Sequence, residues 1–416
     1  MNRTTERPAK RNLLNVMRPG PFRRYMTAET LSSIGTWMQN MAQSWVMTGL
    51  TQSAFMLGLV NFASGVPMLL LTMIGGSFAD RFDKRRILGL TLSCHTALAV
   101  LMAYLVGSGR IQLWHVLAIA VVMGIVNSFE MPAVSALVPE LVEKDEISDA
   151  IAVDRSTFHA TRLVGPALAG LLIGWWGSAA AYVANAVSFL PLLFVLPTLK
   201  PRHIEHPDEG GKRSIKEGIA YVRSDRPTMA MIGLLAMTTL FVFPIMLILL
   251  PLYARNELGL PASGMGLLMG VAGVGSLTGS LGLLLFPRER RIHGLAVASA
   301  AMVAAVFGLA IARSLWLAIP ALALVAVCLS TMFGLANTTI QERAPDHLRG
   351  RVSAVSSLSF FGLQPLAALG ISSLSDGIGM RPAMMASAIA FALGASYMLL
   401  GPARAMGRPS EPPAEA

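Results

Sequence analysis

The stretch that decides the fold runs from residue 76 to residue 86 and reads Gly76-Ser77-Phe78-Ala79-Asp80-Arg81-Phe82-Asp83-Lys84-Arg85-Arg86. It is a short, strongly charged turn between two long apolar runs, which cover about Ala54–Ala79 and Ile87–Val106. Because a membrane-spanning helix needs roughly 20 mostly apolar residues, each run is long enough to cross a bilayer. The turn therefore predicts two adjacent membrane helices with a dense charge cluster at the membrane surface between them.

The composition of the whole chain indicates a protein that crosses the membrane many times. Of its 416 residues, 54% are hydrophobic and 13% are charged, whereas charged residues make up about 25% of a soluble domain. Two cysteines, Cys94 and Cys328, lie inside apolar runs and indicate neither disulfides nor a metal site. The net charge of +10 fits loops that face anionic lipid better than binding to nucleic acid.

Twelve apolar segments follow one another along the chain. They cover about Tyr25–Leu50, Ala54–Ala79, Ile87–Val106, Gln112–Pro132, Ile151–Trp176, Ala179–Pro197, Pro227–Leu250, Pro261–Phe286, Ile292–Ala312, Leu315–Thr338, Val352–Leu374 and Pro382–Pro402. A polar linker separates the first six from the last six. The predicted organisation is an N-tail (1–24), an N-terminal six-helix bundle (25–199), a linker (200–226), a C-terminal six-helix bundle (227–403) and a C-tail (404–416). The predicted fold class is an all-α polytopic membrane protein.

The distribution of basic residues predicts the orientation of these segments. With the N-terminus in the cytoplasm, 29 of the 33 Lys and Arg residues fall on the cytoplasmic side, as the positive-inside rule requires. The exceptions are Arg110, Arg255, Arg313 and Arg381. The basic N-tail lacks a cleavage pattern of small residues, so we interpret it as an uncleaved cytoplasmic tail and not as a signal peptide. Both termini are predicted to be cytoplasmic, with the protein in the inner or plasma membrane of the cell.

The two halves of the chain repeat the same layout. Arg288-Glu289-Arg290-Arg291 joins segments 8 and 9, as the opening turn joins segments 2 and 3. Val138-Pro139-Glu140 follows segment 4, and Ala344-Pro345-Asp346 follows segment 10. Two six-helix repeats side by side are typical of a transporter whose binding site lies between the halves at the middle of the membrane.

The charged turn has two interpretations. Asp80 ends segment 2, and Glu130 lies near the end of segment 4, where a carboxylate is costly unless it is paired. An arginine such as Arg85 can bind a carboxylate through two hydrogen bonds, and Asp80 could also lie against the positive N-terminal end of segment 11. Such links would hold the cytoplasmic side closed, so we favour a gate. The alternative is a basic loop that only fixes the orientation.

This turn resembles the loop motif of the major facilitator superfamily. Gly76, Asp80, Arg81 and Arg85 match the motif, and Asp83 stands where the general motif has glycine. Within the superfamily, the chain resembles the branch of enterobactin exporters and macrolide-efflux proteins. The segments that carry this second resemblance are Gly35-Thr36-Trp37-Met38-Gln39, Pro132-Ala133, Leu137-Val138-Pro139-Glu140-Leu141, Arg162-Leu163-Val164-Gly165-Pro166-Ala167-Leu168-Ala169-Gly170, Gln341 and Arg349-Gly350-Arg351-Val352.

The resemblance implies a twelve-helix transporter that needs neither a cofactor nor a metal and is not an enzyme. The predicted gating set is Gly76, Asp80, Arg81, Arg85, Arg86 and Glu130. In segment 5, Arg162, Gly165, Pro166 and Gly170 resemble the antiporter-type motif that is associated with export. The alternative for these glycines is ordinary close packing, for which segment 8 offers the small residues Gly266, Gly270, Gly273 and Gly275.

Candidate residues for the substrate or the proton are polar groups inside apolar segments. By the resemblance, segments 1, 4, 7 and 10 line the cavity, which favours Gln39, Gln43, Asn127 and Asn337 as substrate contacts. Each of them could equally make a hydrogen bond between helices. Asp154 and His159 in segment 5 are candidates for proton exchange, because a histidine or a buried carboxylate can titrate near neutral pH. Their alternatives are a solvated aspartate at the interface and a buried, hydrogen-bonded histidine.

The sequence predicts a proton-coupled exporter of a large amphipathic small molecule, a drug or a siderophore, that works in the lipid bilayer as a monomer. A facilitator or an importer of the same fold remains an alternative. An ATP-driven pump or a membrane enzyme is disfavoured, because Gly211-Lys212-Arg213 lacks the upstream glycine and the Ser or Thr of a phosphate-binding loop.

Overall fold

The structure, a computed structural model, describes residues 16–202, 215–283 and 286–401. Within these ranges it is built from helices and short connections, with no strand. Residues 1–15 and 402–416, which make up most of the two predicted tails, lie outside the described ranges. The predicted all-α fold is confirmed for the part of the chain between them.

Twelve long helices are present in the described ranges. They are α1 Pro21–Leu50, α2 Ala54–Arg81, α3 Lys84–Gly107, α4 Leu113–Glu140, α5 Ile147–Trp176, α6 Ser178–Thr198, α7 Arg226–Glu257, α8 Ala262–Gly282, α9 Arg291–Ile311, α10 Leu315–Arg343, α11 Arg349–Ile378 and α12 Met380–Leu400. A short linker helix, Ile215–Ser224, precedes α7. By length and composition alone, ten of these helices are long and apolar enough to cross a membrane. The other two, α1 and α5, do not meet that criterion.

The helices alternate in direction between two ends of the molecule. We call the end that carries the Arg81–Lys84 turn and the linker helix the linker face. The opposite end, which carries the turns Leu50–Ala54 and Ile378–Met380, is the far face. Each of the twelve helices has one end at the linker face and the other at the far face.

Several helices are longer than their apolar segments. The helix α2 continues to Arg81, so Asp80 lies in its last turn, and α4 continues to Glu140. Glu130 is therefore about 15 Å from the end of α4 along the helix axis, and not near that end as the sequence suggested. The physical reason is that backbone hydrogen bonding continues past the hydrocarbon layer. An apolar run therefore indicates how much of the helix lies in that layer, and not where the helix ends.

Prolines interrupt three of the helices. The helix α6 breaks before Pro191, and α11 breaks before Pro365. Pro244 directly precedes the π-helical stretch Ile245–Leu249 of α7, and Pro251 lies in the short α-helical stretch between it and the second one, Tyr253–Glu257. Because proline lacks a backbone N–H, it removes one hydrogen bond of the helix and allows such a break. Segment lengths alone did not predict these breaks.

Candidate functional site

The far face is closed by polar contacts between the two halves. Near the end of α11, the Asp376 carboxylate accepts a 2.5 Å hydrogen bond from the Ser53 hydroxyl. It also accepts hydrogen bonds from the backbone N–H groups of Ala54 at 2.7 Å and Phe55 at 3.1 Å. These donors form the start of α2, where unpaired N–H groups and the helix dipole favour a negative charge. Asp376 thus joins the second half to the first.

Two further links lie beside this contact. Nη1 of Arg255, in α7, donates a 3.2 Å hydrogen bond to Oγ1 of Thr48 in α1. The guanidinium carbon of Arg255 lies 5.1 Å from the centre of the Trp45 ring, within the range of a cation–π interaction. Asn256 donates a 2.8 Å hydrogen bond to Gln52. Side chains of α7 therefore close the far face against the end of α1 and the turn that follows it.

Glycines bring α5 and α8 together below these links. A Cβ atom placed on Gly170 would lie 3.0 Å from Cα of Gly266, so neither position tolerates a side chain without displacement of a backbone. Deeper in the membrane, Leu163 packs against Gly273 in the same way. The small residues predicted on segments 5 and 8 thus meet across the boundary between the halves. We call this contact the glycine seam.

The helices α2 and α11 form a second close contact between the halves. Gly58 packs against Ser372, and Gly65 packs against Pro365. Both positions belong to the far-face half of the membrane. From the level of Gly65 to the linker face, no hydrogen bond or ion pair between described residues joins the two bundles. The halves touch at the far face and separate towards the linker face.

Ion pairs at the linker face stay within one half. Nζ of Lys84, at the start of α3, lies 2.7 Å from Oε1 of Glu140 at the end of α4, and both side chains are largely buried. Nη1 of Arg291, at the start of α9, lies 2.7 Å from Oε2 of Glu342 near the end of α10. The same pair of helices is thus joined in each half. The sequence repeat matched Glu140 with Asp346, but the acidic partner of Arg291 is Glu342, four residues before Asp346.

The predicted gating residues do not form a closed gate in this conformation. Arg85 bonds to Asp83 in its own turn and donates a 2.8 Å hydrogen bond from Nη1 to the carbonyl oxygen of Leu199. The hydrogen bond from Arg85 holds the pKa of Asp83 below its usual range. Glu130 lies beside His95 and not beside Arg85, with 2.9 Å between Oε2 and Nε2. The suggested pair of Glu130 with Arg85 is therefore absent from this conformation.

The other members of the gating set lie open at the linker face. Asp80, Arg81 and Arg86 are exposed. A Cβ atom on Gly76 would meet no other atom within 4 Å, so this glycine has room beside it. The surface around the end of α2 is therefore free to receive another segment.

The predicted substrate contacts occupy different environments. Gln43 lines a small cleft between the halves together with Asn61 and Leu247. Gln39 is buried and accepts a 2.8 Å hydrogen bond from Asn185 of α6. This contact agrees with the alternative interpretation of Gln39, a hydrogen bond between helices.

Two predicted amides lie outside that cleft. Asn127 is half-buried in α4. Asn337 is exposed, and its side chain donates a 3.0 Å hydrogen bond to the carbonyl oxygen of Phe333 in its own helix. Neither amide bonds to another helix in the described structure.

One cation of α5, Arg162, lies against an aromatic ring of α1. The guanidinium carbon of Arg162 lies 5.4 Å from the centre of the Trp37 ring of α1, and Phe158 packs edge-on against the same ring at 5.7 Å. Gly165 allows this approach, because a Cβ atom there would lie 2.5 Å from Cβ of Trp37. His159 is exposed one turn earlier.

Sequence reasoning missed one carboxylate. Glu29 of α1 is half-buried and lies within electrostatic reach of Glu130 in α4 and Asp154 in α5. Oγ of Ser33 donates a 3.2 Å hydrogen bond to its Oε1. The signal was available, because Glu29 is an acidic residue inside the first apolar segment.

Comparisons with known proteins agree with this architecture. The chain is 25% identical to the staphyloferrin A transporter of Staphylococcus aureus over 86% of this chain and 90% of that protein. It is 27% identical to the multidrug efflux pump Tap of Mycobacterium tuberculosis over 89% and 90%, respectively. A crystal structure of a bacterial homologue of the human lysosomal transporter Spinster, inward-facing and occupied, is similar with a TM-score of 0.74 at 16% identity, covering 95% of this chain and 99% of that one.

A family model supports the same assignment over nearly the whole sequence. The model described as transmembrane secretion effector matches residues 13–413. This range includes both bundles, the linker and the charged turn between α2 and α3. The chain therefore belongs to the transmembrane secretion effector family of the major facilitator superfamily, and it is a membrane transporter and not an enzyme.

Proposed function

We propose that this transporter exports a large amphipathic small molecule, a drug or a siderophore, in exchange for protons. The observation that carries the proposal is the unequal closure of the two faces. The far face is closed by Asp376 and Arg255. At the linker face the described ion pairs stay within one half, and the end of α2 at Asp80 is exposed. A cleft that is open at one face only is the state expected of a transporter that works by alternating access.

We assign the linker face to the cytoplasm, so that both termini are cytoplasmic and the structure is inward-facing. Most of the Lys and Arg residues lie at this face, in agreement with the positive-inside rule. The similar Spinster homologue is described as inward-facing. In this orientation a molecule from the cytoplasm enters the cleft first, as export requires.

We further propose that α2 and α11 exchange one contact for another during the cycle. They run in opposite directions, and in this structure Asp376 of α11 caps the start of α2 at the far face. Asp80 occupies the corresponding place at the other end of α2, and α11 begins at Arg349 on the same face. In the outward-facing state, Asp80 would cap the start of α11. Gly76, Arg81, Arg85 and Arg86 belong to the surface that α11 then covers.

Relatives support export over import. The proteins named as multidrug efflux pump Tap and macrolide efflux protein A are exporters by name, and the chain covers 90% and 65% of their lengths. The helix-5 residues Arg162, Gly165, Pro166 and Gly170 support the same direction by their resemblance to the antiporter motif. A facilitator or an importer remains the second candidate, and the following experiment separates the two.

Inside-out vesicles that contain the protein should accumulate a transported compound only while their interior is acidic. A macrolide, a siderophore and tetraphenylphosphonium serve as three test compounds, with protein-free vesicles as the control. A protonophore should abolish the accumulation, because it removes the proton gradient that drives exchange. Downhill equilibration that does not respond to the protonophore would contradict proton coupling and support a facilitator.

A further inference from the structure

Three cationic side chains follow one face of α5 inside the membrane. Arg155, His159 and Arg162 are spaced by four and three residues, so they share a helix face, and all three are exposed. Along the helix axis, the first lies about 12 Å from Ile147 and the last about 22 Å. A charged side chain that is exposed at this depth has to face water or a polar ligand, because lipid does not solvate it. We call these three residues the cationic stripe.

The opposite face of α5 is the one that meets lipid. Val164, Leu168 and Leu171 are exposed apolar residues with the same spacing of four and three. They begin nine residues after Arg155, which is about two and a half helical turns, so the two sets point in opposite directions. The cationic stripe therefore faces the inside of the transporter and not the bilayer.

The neighbours of α5 place the cationic stripe at the boundary between the halves. On one side α5 packs against α1 through Gly165, and on the other side Leu163 packs against Gly273 of α8. The stripe lies between these two contacts and on the linker-face side of the Leu163 contact, where no hydrogen bond or ion pair between described residues joins the bundles. Arg162 thus stands directly below the point where the halves meet, and Arg155 lies nearer the linker face.

Arg162 has no acceptor within the described part of the protein. Its guanidinium makes neither a hydrogen bond nor an ion pair there, and its neighbour is the ring of Trp37, whose centre lies 5.4 Å from the guanidinium carbon. The same ring packs edge-on against Phe158. The N–H donors of this guanidinium are therefore available to a ligand, beside two aromatic rings that offer it an apolar surface.

Two carboxylates lie on the side of α1 and do not cancel this charge. Asp154 is half-buried and stands eleven residues before Gly165, about three turns, so it shares the face that packs against α1. Glu29 of α1 is half-buried and accepts a hydrogen bond from Ser33 of its own helix. Among the described residues, neither carboxylate forms an ion pair with the cationic stripe. The side of the stripe that faces the other half is therefore positive.

We propose that Arg155, His159 and Arg162 bind the anionic group of the substrate, with Arg162 as the innermost ligand. This inference rests on the proposed function and narrows its substrate class to amphipathic organic anions. A guanidinium binds a carboxylate or another oxyanion through paired hydrogen bonds. The rings of Trp37 and Phe158 pack against the apolar body. Arg155 and His159 draw the anion inward, since a cleft lined by one sign of charge concentrates ligands of the opposite sign.

The test is an equilibrium binding measurement on the full-length protein in detergent, with no gradient present. Tritiated pyrenebutyrate serves as the amphipathic anion, and tritiated pyrenebutanol, which has the same rings but no charge, is the matched neutral compound. In a scintillation proximity assay, the wild-type protein should bind the anion at least about tenfold more tightly than the neutral compound. Arg162→Gln should weaken binding of the anion at least about tenfold and change binding of the neutral compound by less than about twofold.

Further variants separate this site from general effects. Arg155→Gln, at a more solvated position, should weaken binding of the anion only about threefold. Arg162→Lys keeps the charge but loses the paired donors, so it should give an intermediate affinity, which excludes a simple folding defect. Arg313→Gln makes the same chemical change at an exposed position of the second half and should behave as wild type.

Three results would overturn the proposal. The first is a wild-type protein that binds neither compound or binds both equally. The second is an Arg162→Gln protein that keeps the preference for the anion. The third is an Arg162→Gln protein that loses both compounds to the same extent, because the arginine would then support the structure and not the ligand.

The two proposals fail in different ways. If Arg162→Gln keeps the preference while transport into vesicles still depends on the proton gradient, the anion site is wrong and the exchange of substrate for protons stands. If the variants confirm the anion site but pyrenebutyrate equilibrates across the vesicle membrane and ignores the protonophore, the anion site stands and the coupled export is wrong.

Discussion

Asp376→Ala should open the far face. Asp376 accepts three hydrogen bonds from the start of α2, and each hydrogen bond to a charged group contributes about 1.5–3 kcal/mol. Part of this free energy is regained when the freed donors meet water. A net loss of about 1.4 kcal/mol is enough to shift the equilibrium between the two conformations tenfold. We therefore expect at least about a tenfold larger population of the outward-open state.

Cysteine labelling measures this population. Ser372 is fully buried against Gly58 at the far-face contact of α2 and α11, so a cysteine at residue 372 is protected while that face is closed. In a background that lacks Cys94 and Cys328, a membrane-impermeant maleimide added outside intact cells should label it faster in the Asp376→Ala protein. Asp376→Asn keeps an acceptor but loses the charge, so it should give an intermediate rate.

A matched control tests the location of the effect. Asp346→Asn removes a carboxylate of the same half at the linker face, where it pairs only with Arg349 of its own half. The labelling rate of this control should equal that of the parent protein. Equal rates for the Asp376→Ala protein and the parent would mean that the Asp376 contact does not hold the far face closed.

Lys84→Ala should cause the largest loss of stability among substitutions in the charged turn. The Glu140 side chain is only 4% exposed and Lys84 is 13% exposed, so the substitution leaves a buried carboxylate without its partner. Removal of one partner from a buried ion pair costs about 3–5 kcal/mol. We expect a clear fall in the thermal unfolding temperature of the purified protein in detergent.

Two comparisons make this expectation specific. Arg86→Ala changes an exposed residue of the same turn and should leave the unfolding temperature almost unchanged. The exchange Lys84→Glu with Glu140→Lys should recover part of the loss, since it restores opposite charges. If Lys84→Ala and Arg86→Ala unfold at the same temperature, the buried pair does not stabilise the first half.

The second half should depend less on its corresponding pair. Glu342 is 38% exposed, so water can solvate its carboxylate after Arg291 is removed. The expected cost of Arg291→Ala is that of a surface ion pair, about 0–1 kcal/mol. The difference between Lys84→Ala and Arg291→Ala measures how strongly burial, and not the ion pair itself, determines the effect.

The sequence predicted the helices well because a bilayer imposes one length on every spanning segment. It predicted the contact of small residues on α5 and α8 because glycines along one face of a membrane helix favour close packing against another helix. It did not predict that Arg85 bonds to Asp83 and Leu199, since the choice among neighbouring partners depends on how the end of α6 packs. Nor did it predict the cap made by Asp376, which joins residues more than 300 positions apart.

In the candidate site, too, the sequence predicted the polar residues but not their neighbours. Gln39 has the same polar character as Gln43, yet Gln39 bonds to Asn185 inside the first half, whereas Gln43 lines the cleft. Adjacent turns of one helix face different neighbours, and the sequence of that helix alone does not identify them. The group of Glu29 with Glu130 brings together two helices that are far apart in the chain, so only the folded structure reveals it.

The glycine seam has a mechanical consequence. Gly170 and Gly266 touch through their backbones, so no interlocked side chains have to separate when the two bundles tilt. The seam can therefore serve as a fulcrum, with the linker-face and far-face parts of each bundle as its two lever arms. Its deepest contact, Leu163 on Gly273, sets the height of that fulcrum in the membrane. The ratio of the arms then determines how far one face opens for a given closure of the other.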